Sequence, residues 1–297
     1  MPRNRGIEEE ERMAGSGESS VGGADMALDP EVAYWLEMSE ARAMADVYRA
    51  AADTPGDPVG CQVAEIGGGV AFALTAIDVG FFNRTIGLGV ERAATEADVD
   101  AVVAFYEGLD RSVAVAQVAP HAVPPDLIGW LEARGFARSA RWAKVWRTLD
   151  DLPQATTSLR IERIDRSQAD AFGSIGVEAF GYPAVVANAA TATIGRTGWT
   201  HYMGFAGDEP VSVAALYVTD KFAWLGFGAT REAYRGRGGQ SALFAERLRD
   251  AADLGCRLAF TETGEDSPDD PNPSYHNMIR AGFRLAYHRP NWVQRRA

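Results

Sequence analysis

Apolar and polar positions along this chain change period repeatedly, and the changes mark out its elements. Residues 1–25 show no apolar periodicity; they are rich in Gly, Ser and Glu, run through Glu8 to Glu11, and are expected to be a disordered tail. A foldable pattern begins abruptly at Met26, and Met26 or Met13 is expected to lie closer to the natural start. Asp29-Pro30 opens a helix with an apolar side made of Val32, Trp35, Leu36, Met44, Val47 and Tyr48. Val59 to Ile66 and Val70 to Ile77 read as a hairpin about Gly67-Gly68-Gly69. Thr95, with Asp98 three residues on, has the form of a capping box for a helix reaching Leu109. Ser112 to Val118 then reads as a strand, Pro124 to Arg134 as a helix and Ser139 to Arg147 as a strand.

Pro153 and the short polar run to Ser158 break the pattern, so residues 151–158 are read as a linker. Beyond it come a strand from Arg160, a helix from Ser167 to Phe180, a break at Gly181-Tyr182-Pro183, and strands over Trp199 to Gly204 and Val211 to Tyr217. Phe222 to Phe227 is an apolar, aromatic run that reads as a buried strand. A helix follows with Phe244, Leu248, Ala251, Ala252 and Gly255 on one stripe, then a strand over Arg257 to Thr263, a helix over Pro273 to Ala281 and a last strand over Arg284 to Val293. Two endings match. Leu131-Glu-Ala-Arg-Gly-Phe precedes Trp146, and Met278-Ile-Arg-Ala-Gly-Phe precedes Trp292. Helix, Gly-Phe and strand thus recur about one domain apart, which predicts two tandem copies of one α/β fold, residues 26–150 and 159–297. Each copy is expected to be a mixed, mostly antiparallel sheet flanked by helices.

The chain has 297 residues, 46% of them hydrophobic, enough for two packed cores. Its formal net charge of −12 argues against nucleic acid or an anionic membrane as partner, because phosphate binding needs clustered cations. The N-terminus lacks an apolar signal segment, and no apolar run approaches the roughly 18 residues of a membrane span, so a cytoplasmic protein is expected. Cys61 and Cys256 are far apart and show no metal spacing; no metal site is expected, and Cys256 reads as a buried free thiol.

Against the acidic background, one stretch is locally basic and rich in glycine: Arg235-Gly236-Arg237-Gly238-Gly239-Gln240-Ser241, between the buried strand and the following helix. Strand, glycine turn and helix start together make an anion site, because the first helical N–H groups have no intrahelical partner and the helix dipole favours negative charge there. No Lys follows as a Walker loop requires, and the third glycine of a dinucleotide fingerprint is replaced by Ser241. The spacing Arg-x-x-Gly-x-small resembles the acetyl-CoA pyrophosphate loop of the GNAT superfamily of N-acyltransferases, with Arg235 and Gly238 on the pattern and Gln240 where most members carry Gly or Ala. The order of strand, loop, helix, Gly-Phe and strand that follows resembles the C-terminal half of that domain, so the likeness covers about Leu159 to Trp292. The equivalent turn of the first copy, Glu91-Arg-Ala-Ala-Thr-Glu, has no such cluster.

The resemblance implies acetyl transfer from acetyl-CoA to an amine of a small molecule or peptide. It places Gly226, Phe227, Gly228, Ala229 and Thr230 beside the pantetheine arm. Acyl transfer to an amine needs alignment, a polarised thioester carbonyl, a base for the ammonium proton and an acid for the departing thiolate. Family members often carry a Tyr acid four residues before the Gly-Phe glycine. That position is Met278 here, and Tyr275, one turn earlier, is the substitute candidate. Asn277 is a candidate pantetheine ligand. Glu262 ranks first as base, ahead of Glu232 and His201. Two other classes remain: an acetyl-CoA-binding sensor or scaffold without turnover, and a module for a different phosphate ligand. Tyr182, Trp199 and Tyr202 hint at a cationic or amine acceptor.

Overall fold

The Asp29-Pro30 pair starts the first helix as its chemistry dictates. In the computed structural model, which describes residues 28–296, α1 spans Pro30–Ala52 and the Asp29 carboxylate accepts the Glu31 N–H. The calls on the tail and on the start at Met26 or Met13 lie outside the described residues. The first half continues through β1 (Cys61–Ile66), β2 (Gly69–Leu74), β3 (Arg84–Ile86), α2 (Glu96–Gly108), β4 (Val113–Gln117), α3 (Leu127–Ala133) and β5 (Ala137–Thr148). The second contains β6 (Arg160–Ile164), α4 (Ala169–Phe180), α5 (Ala187–Thr191), β7 (Trp199–Ala206), β8 (Glu209–Thr219) and β9 (Phe222–Thr230). It closes with α6 (Gly239–Asp253), β10 (Leu258–Gly264), α7 (Pro273–Arg280) and β11 (Arg284–Arg295). Gly135 and Gly282 end α3 and α7 at φ of 81° and 84°, and Phe136 and Phe283 beside them are both buried, so the repeated Gly-Phe pairs do the same local work.

Among the described residues the eleven strands form one sheet, in the order β1-β2-β3-β4-β11-β5-β10-β9-β8-β7-β6. The two final strands are exchanged between the halves. β5 lies between β10 and β11, while β11 pairs with β4 on its other side. At the centre β5 and β11 run antiparallel, from Arg284 opposite Trp146 to Val293 opposite Ala137. The parallel contacts, β3 with β4 and β9 with β10, lie on either side of this centre and each covers three residue pairs. The sheet therefore has an approximate two-fold about the β5/β11 pair. No edge exists where one half could end and the other begin, because each half completes the other's ladder.

Helices α1, α4 and α5 cover one face of the sheet, and α2, α3, α6 and α7 cover the other. The α1 helix is more deeply enclosed than its sequence stripe suggests. It packs across the junction, on strands of both halves, and Glu37, Ser39 and Glu40 are buried along with its apolar residues. Two buried carboxylates on one helix require partners, since an isolated charge in that environment is untenable.

Candidate functional site

β9 and β10 pair only from Phe222–Trp224 with Leu258–Phe260, after which they diverge. The divergence coincides with a bulge. Val213 pairs with Ala229 and Ala215 with Gly226, so Phe227 and Gly228 together oppose Ala214. Phe227 takes a φ of 55°, and a side chain at Gly226 would collide with the Trp224 ring at 2.0 Å. The bulge turns the edge of β9 into a groove of about 2530 Å³ lined by Gly226, Phe227, Gly228, Ala229 and Thr230 on one side and by Thr261 to Gly264 on the other. A single ligand pocket is usually about 300–1,000 Å³, so this groove has room for two reactants.

The groove leads to the start of α6. Gly238 is the N-cap at φ 79° and offers no side-chain cap, so the first amides of a 15-residue helix stay unpartnered by the cap. Arg235, Gly236, Gly238, Gly239, Gln240 and Ser241 all line the groove. Arg237 does not; its guanidinium lies 4.7 Å above the Tyr234 ring. Gly238 also has a second cause. A Cβ there would come within 2.5 Å of the Thr156 carbonyl oxygen, and Thr157 Oγ1 donates 2.7 Å to the Arg237 carbonyl. The segment before β6 thus packs on the turn and dictates that glycine, whereas a Cβ at Gly236 meets nothing within 4 Å. The Gln240 side chain lies over Gly228, and its buried Oε1 has no hydrogen-bond partner. An orphaned acceptor beside free helical amides and Arg235 suits a ligand that carries both a phosphate and an amide N–H, as coenzyme A does.

The equivalent cleft of the first half is closed by its own chain. β3 and β4 diverge after Ile86 and Gln117, and the segment before Pro124 enters the gap: the Val123 N–H donates 2.9 Å to the Gly89 carbonyl, and the Val123 carbonyl accepts from Ala94 N at 2.8 Å. The start of α2 is also satisfied internally. Thr95 and Asp98 form the expected capping box, and Arg92 pairs with Asp98 at 2.8 Å. Hydrogen bonds from Arg92 and Thr95 hold the Asp98 carboxyl down to about 2.

Where the halves meet, the groove borders a buried charge cluster that the sequence reading missed. Lys144 Nζ donates 2.8 Å to both Glu40 and Glu262; Arg289 pairs with Glu37 at 2.8 Å and Glu40 at 2.9 Å; Arg84 lies 3.5 Å from Glu40. Three carboxylates thus face three cations, all on buried side chains. Trp224 Nε1 donates 3.1 Å to Glu262, which lines the groove together with Glu40 and Arg84. Burial and the neighbouring Glu40 charge raise the Glu262 carboxyl above the ordinary range, more than Lys144 lowers it. For Glu40 burial acts upward, but Arg289, Lys144 and Arg84 outweigh it and hold the group near 2. A signal did exist: Glu37, Glu40, Met44 and Val47 share one helical stripe, two acids on an otherwise apolar side.

The other candidates scatter. Tyr275 is not on the groove lining. Ser274, Asn277 and Met278 present that side of α7, while Tyr275 packs against the apolar cluster of Phe244, Met278 and Phe283. A step of three residues falls about 60° short of a full turn, so the substitute does not inherit the orientation of the Met278 position. Asn277 lines the groove and accepts from Arg280 at 2.5 Å; Asn272 instead caps α7 and ties it to Gly264. His201 is buried between Phe172 and Trp199, its pKa pushed to about 4 by burial and Arg166, so it stays neutral and off the groove. Glu232 lies in the exposed turn before Tyr234, and Trp199 and Tyr202 are core residues away from the groove lining. Arg247, also missed, is fully buried at the groove wall, donates 3.3 Å to the Gly226 and Ala215 carbonyls, and has its pKa driven to about 9 by desolvation.

No protein-family model and no curated protein sequence matches the chain. Solved structures do. A GCN5-related N-acetyltransferase from Kribbella flavida superposes with a TM-score of 0.62 at 16% identity, over 92% of this chain and 98% of its own. One from Sphaerobacter thermophilus gives 0.55 at 16%, over 91% and 94%. A tandem GNAT protein from the clavulanic acid biosynthesis pathway gives 0.54 at 15%, over 88% and 96%. The likeness runs through both halves of the chain. Among the described residues no helix is long and apolar enough to cross a membrane, and no cluster of His, Cys, Asp and Glu has the make-up of a metal site.

Proposed function

Since the chain has the tandem GNAT fold, we propose that it is an N-acetyltransferase whose second half, residues 159–297, binds acetyl-CoA and whose groove brings that donor to an amine. The observation that carries this reading is the opening of β9 from β10 at the Gly226–Gly228 bulge, leading directly to the uncapped start of α6. Backbone from Gly226 to Thr230 would hold the pantetheine arm, joined by Gln240 Oε1 and Asn277. The amides from Gly239 onward, with Arg235, would hold the pyrophosphate. Acetyl-CoA supplies the thioester; the chain supplies alignment and proton transfer.

Glu262 is the proposed base. Its raised pKa favours accepting the ammonium proton as the new N–C bond forms and the C–S bond breaks. Lys144 and Trp224 fix its carboxylate at the groove wall. With Tyr275 turned away, the departing thiolate has no side-chain acid assigned to it. A second reading rests on the Lys144–Glu262 pair: a carboxylate held that firmly suits an acetyl-CoA-binding sensor without turnover.

Calorimetry on the full chain separates the readings. One coenzyme A per chain is expected, because the first-half cleft is filled. Release of free thiol from acetyl-CoA in the presence of amines should fall at least 100-fold in Glu262→Gln with unchanged coenzyme A affinity. Two sites per chain, or no site, refutes the acetyl-CoA assignment; one site without thiol release on any amine supports the sensor.

A further inference from the structure

The buried cluster contains one carboxylate that the acetyl-transfer reading leaves without a task. Glu40 comes from α1 of the first half, yet it reaches the proposed base of the second. Its Oε2 accepts from Lys144 Nζ at 2.8 Å, and the same Nζ donates 2.8 Å to Glu262 Oε2. One ammonium therefore serves two acids. Glu40 has further cations, with Arg289 at 2.9 Å and Arg84 at 3.5 Å. Glu262 is joined by the uncharged Trp224 Nε1, at 3.1 Å.

This sharing decides what happens when Glu262 takes a proton. In an isolated buried pair, protonating the acid strands the lysine charge, and a desolvated unpaired cation opposes the step. Here Lys144 keeps Glu40 as its partner, so Glu262 can turn neutral without stranding it. Burial raises the Glu40 carboxyl, but Arg289, Lys144 and Arg84 outweigh it and hold the group at about 2, so it stays charged. Burial and the Glu40 charge both raise Glu262, against the pull of Lys144.

The first half shows the same place without charge. Lys144 stands nine residues after Gly135, and Asn291 nine after Gly282. Lys144 lies opposite Glu262, and Asn291 opposite Gln117. Gln117 Nε2 donates 2.8 Å to Asn291 Oδ1, so a neutral amide pair fills the first-half position. The α1 acid is thus spent on the charged pair of the other half. The remaining titratable groups near Glu262 lie outside this sharing. Glu37 accepts from Tyr287 and Arg289 at 2.8 Å each, Glu265 pairs with Arg141, and Asp269 and Asp270 line the groove. All of them stay in place in the variants below.

Resting on the acetyl-transfer reading for its chemistry, we propose that Glu40 is a positioning residue for the base: by holding Lys144 it lets Glu262 accept a proton without stranding a buried cation. The test is a carbon-13 NMR titration of the full chain labelled at the glutamate carboxyl carbon. The Glu262 signal is the one lost in Glu262→Gln. In Glu40→Gln its midpoint should fall by about one pH unit or more, because a like charge leaves and Lys144 turns wholly to Glu262. Lys144→Met should move it the other way, and Glu40→Asp should hold it near the wild-type value. Glu40→Gln leaves three cations facing two acids, so Glu40→Gln/Arg84→Gln, which restores the balance, is titrated beside it and should also show a fall. A side chain that merely supports the fold would lower the melting temperature and leave the midpoint in place. That result, or a midpoint that rises, overturns the inference. Thiol release from acetyl-CoA tests the functional reading separately, and its acid limb should move with the midpoint. A midpoint that falls with no thiol release on any amine keeps the charge coupling and sinks acetyl transfer instead.

Discussion

Replacing Lys144 with Met probes the cluster that joins the halves to the site. Lys144 is fully buried, and among the described residues it alone forms ion pairs with both Glu40 and Glu262. Its loss leaves three carboxylates against Arg84 and Arg289, one uncompensated negative charge in an enclosed space. Breaking a buried pair from one side costs about 3–5 kcal/mol, because the remaining charge stays desolvated. The cost should depend on pH. A carboxyl whose folded pKa is raised contributes stability below its unfolded pKa, and that stability fades as pH rises through the folded value. Glu262 is already raised and loses its nearest cation, so it rises further. Urea denaturation followed by tryptophan fluorescence should therefore show a larger loss at pH 8 than at pH 5, because protonation of Glu262 as the pH falls relieves the unpaired charge. Adding Glu262→Gln to Lys144→Met restores the charge count and should recover much of the loss at pH 8. A loss below about 1 kcal/mol, or one equal at both pH values, would refute the argument, since exposed pairs behave that way. Glu40, held near 2, behaves oppositely: its stabilisation is present above the usual carboxylate range and fades as pH falls toward 2.

Gly238→Ala should lower the melting temperature more than Gly236→Ala. Both glycines are left-handed, a strain of about 1–2 kcal/mol for alanine, but only the Gly238 Cβ strikes the Thr156 carbonyl; equal shifts would show that the linker does not set the turn. Arg235→Ala should weaken coenzyme A by about 1.5–3 kcal/mol and flatten its dependence on salt, as expected for a charge-assisted contact. Arg237→Ala should do neither, because that side chain stacks on the Tyr234 ring and does not itself line the groove. Parallel salt slopes for wild type and Arg235→Ala count against a phosphate cradle.

The sequence by itself determined the local elements and the glycine-rich turn that opens α6. Asp29-Pro30, the Thr95–Asp98 box and the two Gly-Phe pairs act within a turn or two of chain, where capping and glycine conformation leave few choices. The uncapped start of α6 was legible for the same reason, since the glycines that shape it act on their own stretch of backbone. The tandem repeat was legible because both copies keep the same local ending.

Only the tertiary structure decided the rest. The exchange of β5 and β11 depends on which ladder each strand completes, and strand pairing carries no signature in a strand's own residues. That exchange brings Lys144 of the first half beside Glu262 of the second, and α1 then supplies Glu40 from more than a hundred residues away. Tyr275 had the right chemistry in sequence but the wrong azimuth on a short helix, and Gly238 answers to a linker carbonyl eighty-two residues earlier. Charge, burial and direction at a site are sums over groups that only folding brings within a few ångströms of one another, so a linear pattern shows which residues are capable and leaves open which of them meet.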